Sequence, residues 1–163
     1  RYFQQLPKRG ECVIFNRSHY ESVLVERVHE IAPKKVWKRR YDHIVDMERT
    51  IAEEGTTILK FFLHISKAEQ KLRLQARLDD KSKLWKFSAG DVAEREHWSD
   101  YMEAYEEAIE HTSSEDAPWY VIPADKKWYR DLVISQVIVD TLKDLNMQFP
   151  KPASGLDSIV IPD

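Results

Sequence analysis

The chain has 163 residues, of which 42% are hydrophobic and 33% are charged, and its formal net charge is -3 at pH 7. This length and composition are typical of one globular domain and exclude a disordered or fibrous protein. Because the overall charge is slightly negative, a polyanion would have to bind where lysine and arginine side chains cluster locally. A single cysteine and the lack of an apolar stretch of about 20 residues lead us to expect a cytoplasmic protein without a membrane anchor.

The N-terminal part of the sequence predicts a strand and then a long helix. Residues 12–15 form a short apolar run that ends in polar Asn16, which is typical of a buried parallel strand and predicts a buried thiol at Cys12. Between residues 33 and 54, apolar residues recur at steps of three and four, and Gly55 follows where a helix would end. We expect the exposed side of this helix to carry a dense basic run, Lys34, Lys35, Lys38, Arg39 and Arg40.

The middle of the sequence predicts a second strand and a second long helix. Residues 56–65 are rich in β-branched and aromatic side chains and therefore predict a buried strand. Ser66 is placed to cap a helix, with Glu69 three residues later, and this helix extends to about Leu78. Residues 79–92 mix cations with aromatic residues and lack a clean period, so we expect a mobile loop there.

The C-terminal part predicts one more strand between two helices. A helical pattern resumes over residues 98–109, residues 118–123 predict the third strand, and Asp125 is placed to cap a final helix. We expect an irregular tail at about 150–163. Strands that alternate with helices imply a parallel sheet covered on both faces, with ligands at the carboxyl ends of its strands.

Several segments resemble family-2 polyphosphate kinases in their order and spacing. These segments are Ile14-Phe15-Asn16-Arg17-Ser18-His19-Tyr20-Glu21, Lys83-Leu84-Trp85-Lys86-Phe87-Ser88 with Asp91, Arg95-Glu96-His97-Trp98 leading to Tyr101, and Ala117-Pro118-Trp119 with Asp125-Lys126. The resemblance spans almost the whole chain. It implies an α/β, P-loop kinase-like fold, a parallel sheet flanked by helices, with Mg²⁺ as cofactor. It also implies that the strand ending at Asn16 is the Walker B strand and that residues of about 73–97 form a helical lid.

The resemblance implies a set of site residues as well. It implies that Arg17, Arg77 and Lys86 are catalytic. It implies that Asn16, Arg17 and Glu21 bind the nucleotide. It also implies that polyphosphate is bound by Arg73, Lys81, Lys83, Lys86 and Arg95, and we assign no residue as a metal ligand.

Ordinary structural roles compete with some of these assignments. Arg17 could be a surface arginine that pairs with Glu21 or Glu26. The cations from residue 73 onward could form a solvated face, because Asp79 and Asp80 lie among them. Glu21 could be a first-turn acid that the helix dipole favours.

Asn16 departs from the commoner family pattern, which has an aspartate at this strand end. An asparagine offers Mg²⁺ no anionic ligand, so the metal must depend more on other oxygens. In this respect the chain resembles the subgroup that phosphorylates both nucleoside mono- and diphosphates, with an acid at the position of Glu21. AMP and ADP are therefore the implied acceptors, and ATP is the implied product.

A glycine-rich phosphate-binding turn followed by lysine is not found in the sequence. The four glycines, Gly10, Gly55, Gly90 and Gly155, lie in other settings. Since the family carries this element upstream, we expect residues 1–163 to be a single but incomplete kinase domain, without its N-terminal strand and P-loop, that is inactive alone. In the related kinases that strand lies between those corresponding to residues 12–16 and 57–65.

The leading hypothesis is a polyphosphate-dependent nucleotide kinase that moves a phosphoryl group between inorganic polyphosphate and AMP or ADP. An ATP-dependent nucleoside monophosphate kinase of the thymidylate kinase type is an alternative, although the segment 83–88 argues against it. A non-catalytic polyanion-binding fragment is another, which the missing P-loop favours. We expect a homo-oligomer, because unpaired strand edges promote association, and we expect no membrane or nucleic-acid partner.

Overall fold

The computed structural model describes residues 2–156 and 159–161. Its α-helices are α1 (Val25–Val28), α2 (Lys34–Glu53), α3 (Lys67–Asp79), α4 (Ala89–Glu94), α5 (Trp98–Thr112) and α6 (Lys127–Asp144). Its strands are β1 (Lys60–His64) and β2 (Trp119–Pro123). Four short 3-10 helices complete the regular structure of the described residues, at Tyr2–Gln5, His19–Ser22, Lys81–Lys86 and Arg95–His97.

The two strands pair in parallel, with Lys60 opposite Trp119 and His64 opposite Pro123. This pairing, with helices between and after the strands, confirms the predicted α/β architecture. The described helices cover this two-stranded sheet incompletely. Leu63 and Val121 keep 44% and 53% of their surface exposed.

The strand predicted at residues 12–15 does not form. A strand is defined by hydrogen bonds to a neighbour, and no described residue pairs with this segment. Ile14 is consequently 88% exposed. Cys12 is an exposed free thiol and not the buried core thiol that its apolar neighbours predicted.

The prediction of a mobile loop at residues 79–92 is also wrong, because this segment is mostly helical. It forms the 3-10 helix Lys81–Lys86 and then α4. Side-chain caps start both segments: Asp80 accepts a hydrogen bond from the Ser82 amide over 3.0 Å, and Ser88 accepts one from the Gly90 amide over 3.2 Å. Local capping therefore supports helical turns where the sequence has no apolar period.

The core lies where the residues after Ser18 pack between α2 and α5. Buried residues from all three segments form one apolar cluster: Tyr20, Val23, Leu24, Ala32, Trp37, Tyr41, Ile44, Ala104 and Ala108. Ala104 and Ala108 are one helical turn apart and almost without exposure, which lets α5 pack closely on its neighbours. The polar segment that follows Phe15 is therefore attached to the most buried part of the molecule.

The outer side of α2 carries the basic run, as predicted. Lys34, Lys35, Lys38 and Arg39 are exposed, whereas Arg40 turns inward and donates hydrogen bonds to the Ser22 carbonyl and Glu26. No helix in the described residues combines the length and apolar character that crossing a bilayer requires. The tail predicted at 150–163 has no α-helix or strand in its described part, and residues 157, 158, 162 and 163 lie outside that part.

Candidate functional site

A tight turn presents Arg17 and Glu21 to solvent. The Ser18 hydroxyl accepts from the Tyr20 amide over 3.4 Å, and the Ser18 carbonyl accepts from the Glu21 amide over 3.2 Å. Arg17 has a φ of 69°, in the left-handed region that non-glycine residues adopt rarely. Its side chain is 78% exposed, and its Nε lies 3.7 Å from Glu21 Oε1. An exposed pair of this kind contributes at most about 1 kcal/mol, so Glu21 holds the Arg17 guanidinium only weakly.

The charges of this turn act on two tyrosines of α5. Burial raises the pKa of Tyr105, the charge of Glu21 adds to that effect, and the charge of Arg17 opposes it. Burial also raises the pKa of Tyr101. Glu94 adds the next largest contribution to this increase, and the charge of Glu21 adds a smaller one. The Tyr105 ring stacks on Phe62 of β1 with ring centroids 4.3 Å apart. Tyr105 therefore contacts the sheet and lies within the electrostatic influence of the turn.

Two of the three strand ends that predicted a site come together at one sheet edge. The Ala124 amide donates to the His64 carbonyl over 2.8 Å, and the Ser66 amide donates to Asp125 Oδ1 over 2.7 Å. That hydrogen bond is the main reason why the pKa of Asp125 is lowered. The prediction that Asp125 caps the final helix is wrong, because Lys126 is the N-cap residue of α6 and no side-chain hydrogen bond caps the helix.

The predicted cap of α3 is confirmed. The Ser66 hydroxyl accepts a hydrogen bond from the Glu69 amide over 3.1 Å. Ser66 therefore caps α3 while its own amide is held by Asp125 across the sheet edge.

Arg73 and Arg95 are engaged by other parts of the protein. Arg73 Nη2 donates to the carbonyls of Ala124 and Asp125, over 2.7 and 2.9 Å. Its Nε donates to Glu69 over 2.8 Å. Arg95 Nη1 donates to Gln70 Oε1 over 2.5 Å and to the Lys67 carbonyl over 3.1 Å. These contacts attach the start of α3 to the end of β2 and to the segment before α5.

The other predicted cations are exposed, and all but Lys83 are without a close ion-pair partner in the contacts described for them. Arg77 lies 3.9 Å from Asp91, and Lys86 lies over the Trp85 ring at 4.9 Å from its centroid. Lys81 is exposed, as is Lys83, whose ammonium lies 2.5 Å from Asp80. Hydrogen bonds from Lys83 and from Ser82 lower the pKa of Asp80 to about 2, so this carboxylate is ionised and offsets part of the positive charge.

Among residues 2–156 and 159–161, no group of three or more histidine, cysteine, aspartate or glutamate side chains is arranged to hold a metal ion. On the turn, the exposed amide of Asn16 and the carboxylate of Glu21 are two oxygen donors. A magnesium ion there would take most of its ligands from phosphate oxygens and water.

A buried polar network behind the turn was not foreseen from the sequence. It joins five residues of α2, α5, both strands and the turn: Tyr20, Glu48, Lys60, Thr112 and Trp119. Two signals were present in the sequence. Lys60 interrupts an apolar strand, and Glu48 continues the apolar stripe of Tyr41 and Ile44 along α2.

Comparisons with known proteins agree with this architecture. The polyphosphate kinase 2 family model matches residues 1–150. The chain is 58% identical over 161 residues to an AMP/ADP-polyphosphate phosphotransferase of Meiothermus ruber, covering 99% of this chain and 60% of that protein. It is 47% identical over 163 residues to an ADP-polyphosphate phosphotransferase of Rhodopseudomonas palustris, covering 93% and 56%.

The fold agrees with a solved structure at the level of the whole chain. The crystal structure of polyphosphate kinase 2 from Arthrobacter aurescens matches with a TM-score of 0.94 and 49% sequence identity, covering 96% of this chain and 56% of that one. The chain thus spans less than two-thirds of the length of each of these three relatives. This chain belongs to the polyphosphate kinase 2 family.

Proposed function

We propose that the protein transfers phosphoryl groups between inorganic polyphosphate and a nucleotide, with AMP and ADP as acceptors. The observation that carries this proposal is the set of exposed cations on α3 and the segment after it, Arg77, Lys81, Lys83 and Lys86. Phosphoryl transfer needs positioning and charge neutralisation more than covalent help from the protein. Exposed cations can supply both to a polyanion through charge-assisted hydrogen bonds.

The way in which residues 73–97 are attached supports a lid. Near its start, Arg73 is bound to the end of β2. Near its end, Tyr101 donates to Glu94 over 2.8 Å, and Arg95 is bound to Gln70. Residues 81–86 between these anchors are exposed, and in this proposal they close on a phosphate chain and carry Lys86 with them.

Arg17 has a catalytic role outside the lid in this proposal. Its guanidinium is exposed and weakly paired, so it is able to hold the transferred phosphate against the cations of the lid. Mg²⁺ would neutralise phosphate charge when bound, and the oxygens of Asn16 and Glu21 suit it. The exposed free thiol of Cys12 fits a cytoplasmic, reducing location.

Acceptor choice rests on Asn16 and Glu21. A neutral amide repels a second acceptor phosphate less than a carboxylate does, and it can hydrogen-bond a base or ribose. Glu21 is 35% exposed on the same turn, where it can orient the acceptor directly or through a metal ion. This arrangement supports the use of both nucleoside mono- and diphosphates.

The deciding experiment compares donors in the intact protein. AMP and ADP are each supplied with inorganic polyphosphate or with ATP, in the presence of Mg²⁺, and product nucleotides are quantified. We expect rapid transfer from polyphosphate to both acceptors. Transfer to AMP from ATP alone would support a nucleoside monophosphate kinase instead. Polyphosphate binding without any transfer would support a polyanion-binding protein.

A further inference from the structure

Lys60 is a buried cation whose hydrogen-bonding capacity is completely used. Its Nζ donates to Glu48 Oε2 over 2.6 Å, to the Thr112 carbonyl over 2.7 Å and to the Tyr20 hydroxyl over 3.0 Å. An ammonium group has three hydrogens, so each one has an acceptor. The side chains of Lys60 and Glu48 are only 7% and 4% exposed. Burial lowers the pKa of Lys60, and Glu48 opposes that shift.

The Tyr20 hydroxyl is the point at which this ion pair meets the turn. It accepts from Lys60 and lies 3.0 Å from Glu48 Oε1 and 2.9 Å from Thr112 Oγ1. Thr112 Oγ1 donates its own hydrogen to the Ala108 carbonyl and accepts from Trp119 Nε1. Tyr20 therefore shares its one hydrogen between the carboxylate and the threonine oxygen. Its hydroxyl is held from α2, β1 and α5 at once.

Fixing Tyr20 also fixes the residues on either side of it. Tyr20 and Glu21 belong to the same 3-10 helix, and Tyr20 is three positions after Arg17. Its carbonyl accepts from the amides of Val23 and Leu24, over 3.0 and 3.1 Å, which joins the turn to the core. The left-handed backbone at Arg17 is a conformation that its surroundings must maintain.

Stability alone explains this network poorly. Removing two charges from water costs about as much as their attraction returns, and well-packed apolar residues often replace a buried ion pair without loss. A fully satisfied polar network does, however, define one geometry more strictly than apolar contacts do. We propose that Lys60, Glu48 and Tyr20 are positioning residues, which set the Arg17–Glu21 turn for phosphoryl transfer. This inference rests on the function proposed above.

Two variants of the intact protein test the inference. Tyr20→Phe removes one hydroxyl and keeps the ring, and the pair Lys60→Met with Glu48→Leu replaces the ions with apolar side chains. We expect kcat for polyphosphate-driven transfer to fall at least about tenfold in each, because small displacements of a reacting group are costly. KM for polyphosphate should change little, because the exposed cations of residues 77–86 lie outside the turn, whereas KM for the nucleotide should rise with the displacement of Glu21. Ile44→Val is the matched control, since it loosens the same core without touching the network, and it should keep the kcat of the parent.

Amide hydrogen exchange provides a second test of the inference that does not depend on activity. We expect faster exchange at residues 17–22 in both test variants than in Ile44→Val, at similar thermal midpoints. Unchanged exchange there, or an unchanged kcat in folded variants, overturns the inference. If the double variant fails to fold, Tyr20→Phe decides. If the parent shows no polyphosphate-driven transfer, the proposed function fails, and the exchange rates alone then support or overturn the positioning role.

Discussion

Asp125 joins the two strand ends by accepting a hydrogen bond from the Ser66 amide over 2.7 Å. The Asp125 carboxylate thus binds the N-cap residue of α3, the helix that follows β1, although Asp125 lies in sequence beside α6, the helix that follows β2. Because Ser66 also caps α3, the direction of α3 as it leaves the sheet depends on a residue 59 positions later in the chain.

Asp125→Asn should make folding less dependent on pH in the acid range. The folded-state pKa of Asp125 lies below its ordinary value of 3.8, so folding favours the ionised form. Its contribution to stability is full above that ordinary value and is lost as the pH falls through the lowered pKa. Asparagine keeps an acceptor oxygen without the charge. We expect the Ser66 amide to exchange faster in Asp125→Asn at neutral pH, and the difference to disappear in acid. A difference that persists in acid would contradict this account.

Arg73→Ala should destabilise the fold. Its guanidinium is mostly enclosed and binds two backbone carbonyls and Glu69, and hydrogen bonds to charged groups contribute about 1.5–3 kcal/mol. We expect a loss of about that size in the free energy of unfolding, measured with urea. Lys71→Ala, an exposed position on the same helix, should be nearly neutral. Unaltered stability with impaired polyphosphate use would support the predicted polyphosphate-binding role of Arg73 instead.

The sequence predicted what depends on local patterns. The apolar periods of α2 and α5, the cap at Ser66 and the parallel pairing of β1 with β2 all follow from residue type and spacing. The prediction of a strand at residues 12–15 failed because a strand needs hydrogen bonds to a neighbouring strand, and no local pattern shows whether that neighbour is present. The helical turns between residues 81 and 94 were missed because polar caps, rather than apolar spacing, start them.

The site was predicted unevenly for a related reason. Exposure at Arg17 and Lys86 follows from their positions in polar segments, so their availability was foreseeable. The hydrogen bonds from Arg73 to the carbonyls of Ala124 and Asp125 were not foreseeable, because these residues are 51 and 52 positions further along the chain. The partners of Lys60 likewise come from α2, α5 and the turn, and only the tertiary fold brings these segments together.

Lys86→Ala should weaken polyphosphate use in a manner that depends on salt. Lys86 is exposed, so any phosphate that it contacts is also accessible to counterions. The increase in KM for polyphosphate should therefore be larger at low ionic strength than at high. Lys143→Ala on α6 removes the same charge away from the lid and is the control. Equal effects of both variants would show that only net charge matters.

A polypeptide of residues 1–163 should self-associate and lack transferase activity. Both described strands have an unpaired edge, and Trp128 and Leu132 on α6 are 65% and 57% exposed. Light scattering should report dimers or larger species. Leu132→Lys should reduce association, while Ala76→Lys adds the same charge on an exposed helix and should not. A monodisperse monomer would refute this, and transferase activity like that of the intact protein would refute the need for a glycine-rich phosphate-binding turn.

Asn16→Asp and Glu21→Ala should change which acceptor the intact protein prefers. The aspartate would add a strong metal ligand, but it would also repel the second phosphate of ADP. We therefore expect Asn16→Asp to favour AMP over ADP. Glu21→Ala removes a carboxylate that can orient the acceptor, and it should impair one acceptor more than the other.

The measurement is kcat/KM for AMP and for ADP, with polyphosphate as the donor, because its ratio compares transition-state stabilisation for the two acceptors. Glu26→Ala is a suitable control, since Glu26 is a nearby acid that already pairs with Arg40 over 2.6 Å. A uniform loss with both acceptors would mean that Asn16 and Glu21 act on the transferred phosphate or the metal ion. If neither substitution moves the ratio, acceptor choice lies elsewhere, and Glu21 is left with the partner that the structure gives it, Arg17 at 3.7 Å.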